Sequence, residues 1–384
     1  HQTIKIEGSK HFTIQLDYNV HHTTIPLKSS IPITVGVENR CMTEGLNDKE
    51  ADKERQRWVD FVLSYRMTPV FGTQITPERW QYEHSFSPWA WNDKRSIRLL
   101  NDRRYSCYML PFFTLSENEL ASLLCNIQKK GKLKESLFYI WDEPAYMEDY
   151  EQIKRKVNII RKYASDARIL TTFFCGPRNG PRKGDLYAVF DYLKHHIHVA
   201  TISLAPCKGN EEEVQHIRYK VPEGIDWWSY VCWQPGGNEP NFLLQMKGIQ
   251  QRAIMWRTWK NGSQGFLYWN CNIYHKRNPF TYITDMPHGD GILIYPGDIL
   301  GCKGPIASAR LERWRDGAEE MELLRLVEKN YSKEKADTLL NIVYSSPLSF
   351  IEKAHNIPFF RKELLDQLDK TIPIDYKLRI TDFI

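Results

Sequence analysis

Apolar, β-prone runs and amphipathic helical stretches alternate along most of the chain. Residues 2–20 alternate apolar and polar positions, which predicts two strands of a hairpin. From residue 31 onward, each strand-like segment is followed by a helical segment or by an insert that leads to one. The predicted strands are 31–37, 69–75, 105–113, 136–144, 168–176, 198–206, 225–235 and 265–274. The predicted helices are 48–67, 116–131, 147–164, 186–196, 210–220, 242–262 and 305–330.

Eight strands in about 300 residues, each followed by a helix or by an insert that leads to one, are typical of a (β/α)8 TIM-type barrel of the α/β class. Ser116 and Glu119 have the spacing of a capping box, and Gly131 supplies a stop for the same helix. Residues 79–91, "RWQYEHSFSPWAW", form an irregular insert in this prediction. The predicted organisation has three parts: an N-terminal β segment (1–30), the barrel (31–330) and a C-terminal helical extension (331–384).

Composition narrows the classes of function. The 384 residues include 52 Lys+Arg and 47 Asp+Glu, a formal charge of +5, with no basic block typical of nucleic-acid binding. No run reaches the roughly 18 apolar residues that predict a membrane span. The eight cysteines form no CxxC pair, and the histidine spacing suggests no metal site. We therefore predict neither nucleic-acid binding, nor a membrane span, nor a metal, nor a cofactor.

The segment "LFYIWDEPA" ends the fourth predicted strand in two adjacent carboxylates, Asp142 and Glu143, followed by Pro144. The carboxyl ends of barrel strands carry the active site in this fold. Pro144 cannot donate a hydrogen bond to the sheet, so it ends the strand there. Neighbouring strand residues normally face opposite sides, and both carboxylates can serve one pocket only where the strand breaks up. The competing interpretation is a solvated turn or a helix N-terminus, since acidic residues favour the first helical turn.

Ordinary glycosidases use two carboxylates on opposite sides of the scissile bond, usually from different strands. An adjacent pair fits substrate-assisted hydrolysis better, in which the 2-acetamido oxygen of the sugar attacks its own anomeric carbon. In this hypothesis Asp142 accepts a hydrogen bond from the acetamido N–H. Glu143 protonates the leaving oxygen and then activates water, with a pKa raised by apolar surroundings.

Aromatic residues make up 13% of the chain, and many end strand-like runs, which suits a pocket that stacks against sugar rings. The predicted substrate contacts are Trp141, Trp228, Tyr230, Trp233, Tyr268, Trp269, Asn270 and Asn272. The GDG sequence at 289–291 lacks the context of a phosphate loop and predicts a turn. His84, His275 and His288 fall in loops that we expect at the same end of the barrel.

Three blocks of sequence resemble glycoside hydrolase family 123. They are "LFYIWDEP" (137–144), the Trp/Tyr-rich segment 226–274 that ends in "GFLYWNCNIY", and the segment 289–324 with "GDGILIYPG" and "RLERWRDGAEEME". The resemblance implies a (β/α)8 barrel behind an N-terminal β-sandwich, of which residues 1–30 would be a remnant. It also implies exo-acting β-N-acetylgalactosaminidase activity, with Asp142 as acetamido stabiliser and Glu143 as acid/base. A carbohydrate partner, glycan or glycolipid, and a secreted or periplasmic location follow from the same resemblance.

Two other functions stay open on the sequence. One is a catalytically silent carbohydrate-binding barrel. The other is a hydrolase of a different 2-acetamido glycan, acting within the chain rather than at its end. Catalytic turnover separates the first from an enzyme, and a long open cleft in place of a pocket would favour the second.

Overall fold

A computed structural model describes residues 2–6, 12–16, 20–76, 81–274, 277–280 and 286–370. The first two strands, β1 (Gln2–Ile6) and β2 (Phe12–Leu16), pair antiparallel as the predicted hairpin. His275 and residues 371–384 of the predicted C-terminal extension lie outside the described residues. The division into three domains stays a prediction.

A nine-stranded sheet follows the hairpin. Its strands are β3 (Ile33–Glu38), β4 (Thr68–Thr76), β5 (Gln81–Ser85), β6 (Tyr108–Met109), β7 (Ser136–Trp141), β8 (Arg168–Phe173), β9 (Val199–Ser203), β10 (Asp226–Val231) and β11 (Phe266–Tyr268). They are ordered β5-β4-β3-β11-β10-β9-β8-β7-β6, and every pairing is parallel except that of β5 with β4. The eight parallel strands form the predicted (β/α)8 TIM-type barrel. A short antiparallel pair, β12 (Ile294–Pro296) and β13 (Pro305–Ala307), follows it.

The helices surround the sheet. They are α1 (Asn39–Thr43), α2 (Asp48–Ser64), α3 (Lys94–Leu99), α4 (Glu117–Lys129), α5 (Met147–Arg161), α6 (Ala188–Leu193), α7 (Glu211–Lys220), α8 (Gly248–Lys260), α9 (Ala309–Asn330), α10 (Lys333–Leu340) and α11 (Ile357–Asp369). The capping box predicted for α4 is present: Ser116 and Glu119 bond reciprocally, and Gly131 takes a φ of +65° after the helix. Among the described residues, no helix is long and apolar enough to cross a membrane.

Strand β5 corrects one expectation, because it lies in the insert predicted to be irregular. It occupies the side of the barrel where, within the described chain, no ladder joins β4 directly to β6. The closure there uses the Phe86 N–H, which donates to the Met109 carbonyl (2.6 Å). A hydroxyl pair, Thr68 and Ser106 (2.7 Å), adds a second link. We call this side of the barrel the seam.

Two predicted helix starts are too early. The guanidinium of Arg310 holds the Phe242 carbonyl at 2.7 Å, so this residue stays in a loop and α8 begins at Gly248. Residues 305–307 form β13, and α9 starts after Ser308, whose hydroxyl accepts from the Leu311 N–H. The third predicted strand, 105–113, is reduced to Tyr108–Met109.

Two apolar clusters follow from the barrel geometry, since its strands are covered on both faces. The larger cluster lies between the sheet and the helices. The smaller one fills the barrel and contains Val70, Cys107, Met109, Leu137, Leu170, Val199, Trp228, Tyr230, Cys232 and Leu267. Tyr139 and Trp269 pack against this interior cluster while remaining partly exposed. The interior is therefore a packed core whose upper residues reach the mouth of the barrel.

Candidate active site

The end of β7 is irregular in a way that changes the direction of its last side chains. The pairing register with β8 shifts between Tyr139 and Trp141. Glu143 adopts a φ of +44°, which costs a non-glycine residue about 1–2 kcal/mol. The Glu143 N–H donates a hydrogen bond to the Thr172 hydroxyl on β8, at 2.9 Å, which helps to hold this conformation. The chain thus leaves the sheet at Asp142-Glu143, as the sequence predicts.

Two hydroxyl groups donate hydrogen bonds to the carboxylate of Asp142. Its Oδ1 accepts from the Tyr139 hydroxyl at 2.6 Å and from the Thr172 hydroxyl at 2.7 Å. The residue is exposed, and among the described residues nothing hydrogen-bonds its Oδ2. The carboxylate is therefore oriented through one oxygen and has the other available to a ligand.

Glu143 occupies a different environment although it is the next residue. Its Oε1 accepts from the hydroxyl of Tyr230, a buried residue of β10 inside the barrel. Burial raises the pKa of Glu143 to about 7, and the negative charge of Asp142 adds to that rise, while Tyr230 and Arg178 oppose it. At neutral pH this side chain is therefore poised between acid and base, as a proton-transfer group needs to be.

The carboxyl end of β11 supplies a second polar region. Asp290, in the turn at 289–291, accepts hydrogen bonds on Oδ1 from the Tyr268 hydroxyl (2.9 Å) and from the Trp269 indole N–H (3.0 Å). Arg310 fixes the same turn by donating to the Gly289 carbonyl at 2.6 Å. Burial raises the pKa of Asp290 to about 6. The ring of Trp269 is therefore oriented at the mouth of the barrel by a buried carboxyl group.

The two asparagines at this end are engaged within the protein. Asn272 is fully buried and bonds both main-chain groups of Glu38, accepting from its N–H at 2.8 Å and donating to its carbonyl at 3.1 Å. Asn270 accepts from the Asn272 N–H at 2.9 Å. These contacts join the ends of β11 and β3. The two strands also approach closely at Gly36, where the Cβ of any other residue would lie only 1.9 Å from the Trp269 carbonyl oxygen.

Residues 53–327 match the family model "Glycoside hydrolase 123, catalytic domain". This chain belongs to glycoside hydrolase family 123. The predicted family is thereby confirmed, and the chain is a glycosidase. No protein with curated annotation is similar enough to count as a match.

Solved structures extend the comparison to the fold. A family 123 glycoside hydrolase from Clostridium perfringens, whose structural analysis concerned glycolipid glycan hydrolysis, superposes with a TM-score of 0.59 at 14% identity. The alignment covers 96% of this chain and 74% of that one. A GH10 xylanase from Thermobacillus composti reaches a TM-score of 0.32 at 14% identity, over 74% of this chain and 88% of the xylanase. The first match confirms the barrel fold of this family 123 glycosidase.

The predicted aromatic contacts of this family 123 chain fall in three places. Tyr230 reaches Glu143, and Trp269 lies at the mouth. Trp233 is 44% exposed and stacks on Phe174 beyond the end of β8, with ring centroids 6.3 Å apart and ring planes inclined by 20°.

The other three predicted aromatic rings lie away from the mouth. Trp228 is buried inside the barrel against Gly265, Tyr268 packs outward on Phe242, and Trp141 faces the helix layer beneath Lys156.

Two residues that contact the carboxylate pair, Tyr139 and Thr172, were not predicted as site residues, and Asp290 was expected in a turn. Tyr139 and Thr172 bind Asp142, and Asp290 binds Trp269. A signal existed for Tyr139, since strand alternation places it on the same face as Leu137, inside the barrel. For Thr172 and Asp290 the signal is only their position at the end of a strand or in a loop at the active end.

The described residues also enclose a cavity beside β5. It measures about 280 Å3 and is bounded by Phe71, Glu83 and Trp91, among others. It lies on the outer side of β5, whereas the carboxylate pair lies inside the mouth. Within the described part of the chain, no group of three or more His, Cys, Asp or Glu side chains is arranged to hold a metal ion.

Proposed function

We propose that this family 123 chain is a retaining, exo-acting hydrolase that removes terminal β-linked N-acetylgalactosamine by substrate-assisted catalysis. The observation that carries the proposal is the division of environment between adjacent carboxyl groups. Asp142 is exposed and oriented by two hydroxyls, while Glu143 is partly buried with its pKa raised to about 7. One group is suited to stabilise positive charge, and the other is suited to transfer a proton.

In the first step the acetamido carbonyl oxygen of the sugar attacks the anomeric carbon, and the bond to the leaving oxygen breaks. Glu143 gives its proton to that oxygen. Asp142, through its available Oδ2, accepts the acetamido N–H and stabilises the positive charge of the oxazolinium ring that forms. No side chain becomes covalently attached to the sugar.

In the second step the ionised Glu143 takes a proton from water as the water oxygen attacks the anomeric carbon. The oxazolinium ring opens, and the acetamido group is regenerated. Because the anomeric carbon is attacked twice from opposite faces, the product retains the β configuration. The Tyr230 hydroxyl, bonded to Glu143, helps this group to act alternately as acid and base.

Around these carboxyl groups, we propose that Trp269 forms a wall for the sugar ring and that Trp233 contacts the part of the glycan beyond it. The amide of Asn270 is a further proposed contact. The Clostridium perfringens protein was analysed for glycolipid glycan hydrolysis, and its similarity supports a glycolipid glycan as one proposed substrate. Trp141, Trp228, Tyr268 and Asn272 have other contacts in the fold, and the mechanism does not use them.

The deciding experiment compares three β-linked aryl glycosides, of N-acetylgalactosamine, N-acetylglucosamine and galactose. We expect the first to be cleaved fastest and galactose, which lacks the acetamido group, to be inert. Glu143→Gln is expected to abolish cleavage of poor leaving groups and to spare activated ones, since only the former need the acid. A thiazoline analogue of the acetamido sugar, which mimics the cyclised intermediate, should bind much more tightly than the free sugar.

Equal cleavage of the galactoside would contradict the attack by the acetamido oxygen. Binding of the sugar without turnover would indicate a silent carbohydrate-binding barrel. Faster release of internal fragments than of single sugars from a longer glycan would contradict exo action.

A further inference from the structure

The antiparallel strand β5 presents its two faces to different surroundings. On the outer face, the Glu83 carboxylate accepts from the N–H groups of Phe112 and Thr114, both at 2.7 Å, and from the Thr114 hydroxyl at 2.8 Å. These three bonds fix the strand to the loop that follows β6. His84 has the opposite orientation and is paired across the ladder with Gly72 of β4. Strand β5 therefore carries a histidine on the side of the barrel mouth.

The imidazole of His84 stacks on the ring of Tyr139, with centroids 4.3 Å apart and planes inclined by 10°. The Tyr139 hydroxyl is the group that orients Asp142. His84 is half-buried, and among the described residues neither of its ring nitrogens has a hydrogen-bond partner. Burial lowers the pKa of His84 to about 3, so the ring is neutral at physiological pH, with one nitrogen donating and the other accepting.

The order of Glu143, Asp142 and His84 around the barrel mouth indicates which part of a bound sugar lies next to the His84 nitrogens. Glu143 leans toward Tyr230 of β10, Asp142 is bonded to Tyr139 of β7, and His84 follows on the seam side of Tyr139. In the proposed mechanism Glu143 serves the anomeric oxygen and Asp142 serves the nitrogen on carbon 2. The next substituent around the sugar ring is the hydroxyl on carbon 3.

We propose that His84 is a specificity-determining residue that hydrogen-bonds the 3-hydroxyl of the acetamido sugar through a ring nitrogen. The inference rests on the proposed function, because the position of carbon 3 follows from the roles of Asp142 and Glu143. It adds a substrate contact from β5, the one strand of the sheet that runs antiparallel among the described strands.

The test measures kcat/KM for aryl N-acetylgalactosaminide and for its 3-deoxy and 4-deoxy analogues. The variant is His84→Phe, which keeps a ring to stack on Tyr139 and removes both nitrogens. We expect the wild-type chain to prefer the parent sugar over the 3-deoxy analogue by about tenfold, the worth of one hydrogen bond. His84→Phe should reduce that preference to about twofold or less and leave the preference over the 4-deoxy analogue unchanged.

A second variant, His84→Gln, places an amide near one ring nitrogen and should recover part of the 3-deoxy discrimination. Each preference is a ratio measured on one preparation, so it does not depend on the folded fraction of a variant. The proposal is overturned if His84→Phe keeps the wild-type preference over the 3-deoxy analogue, or if it changes the 4-deoxy preference instead. Cleavage of the galactoside, or turnover of poor leaving groups by Glu143→Gln, would instead refute the proposed function.

Discussion

Two strand ends at the mouth of this barrel carry similar polar residues and use them differently. After β7, Asp142 has one oxygen bonded by hydroxyls and the other available. After β11, the amide of Asn272 is bonded on both sides to the main chain of Glu38. Both residues lie where a TIM-type barrel keeps its active site. The comparison shows that a polar residue at a strand end does not by itself present unbonded atoms to a ligand, since the fold engages the amide of Asn272.

The strongest test of this contrast is Asp142→Asn. The amide oxygen can still accept from Tyr139 and Thr172, so we expect little change in melting temperature. The variant loses the negative charge that stabilises the oxazolinium in the proposed mechanism, and kcat/KM should fall about a thousandfold. Unlike the loss in Glu143→Gln, this loss should persist with activated leaving groups. Rescue by an activated leaving group would contradict the role given to Asp142.

The pH dependence of activity tests the other member of the pair. In the proposed mechanism the acid form of Glu143 is needed in the first step, and it is depleted above the pKa of about 7. We therefore expect kcat/KM to fall about tenfold per pH unit above pH 7 for substrates with poor leaving groups. The residual activity of Glu143→Gln on activated substrates provides the control and should lack this decline. A flat profile to pH 9 would exclude Glu143 as the acid.

The same pKa makes a prediction for stability. The pKa of Glu143 is raised in the folded state relative to the usual 4.5, so the folded protein holds this proton more tightly than the unfolded chain does. The resulting contribution to the unfolding free energy is fully present below about pH 4.5 and is lost as the pH rises through about 7. Since one pKa unit corresponds to about 1.4 kcal/mol, Glu143→Gln should be more stable than the wild type by up to about 3 kcal/mol at pH 8. Near pH 4 the two chains should unfold alike. Thermal unfolding across this pH range measures the difference, and a pH-independent offset would contradict it.

At the β11 end the expected effect is on stability alone. Asn272→Ala leaves the buried N–H of Glu38 without its acceptor, which we expect to cost about 2 kcal/mol of unfolding free energy. The folded fraction should keep a kcat/KM within a few-fold of the wild type. Denaturant unfolding and active-site titration with a tight inhibitor separate the two quantities. A large loss of kcat in fully folded Asn272→Ala would remove the distinction between the two strand ends.

Much of the fold could be predicted because its signals are local. Parallel strands covered on both faces appear as apolar runs, and helix ends such as Ser116 and Gly131 have caps within a few residues. Strand β5 was missed because "QYEHS" is short and polar, and its conformation depends on pairing with β4. The early start predicted for α8 failed for a similar reason, since Arg310 holds Phe242 from 68 positions away.

The candidate site shows the same limit. The position of Asp142-Glu143 at the end of β7 follows from the strand pattern and Pro144. What distinguishes Asp142 from Asn272 is the set of tertiary partners, Thr172 in one case and Glu38, 234 positions away, in the other. Chain-distant hydrogen bonds of this kind leave no periodic trace in a single sequence. The sequence therefore identifies residues at strand ends as candidates. It does not distinguish polar atoms that are hydrogen-bonded within the fold from those that remain available to a ligand.

The seam described above has a consequence for dynamics. Among the described strands no ladder joins β4 to β6 there, and separate hydrogen bonds link the two sides, such as Phe86–Met109, Thr68–Ser106 and those accepted by Glu83. Local opening is expected first where a continuous ladder is absent, so amide hydrogen exchange should be fastest along this side of the wall. A ligand held between β5 and the end of β7 would cross-link both edges. Its protection against exchange should therefore extend along that wall, beyond the atoms it touches.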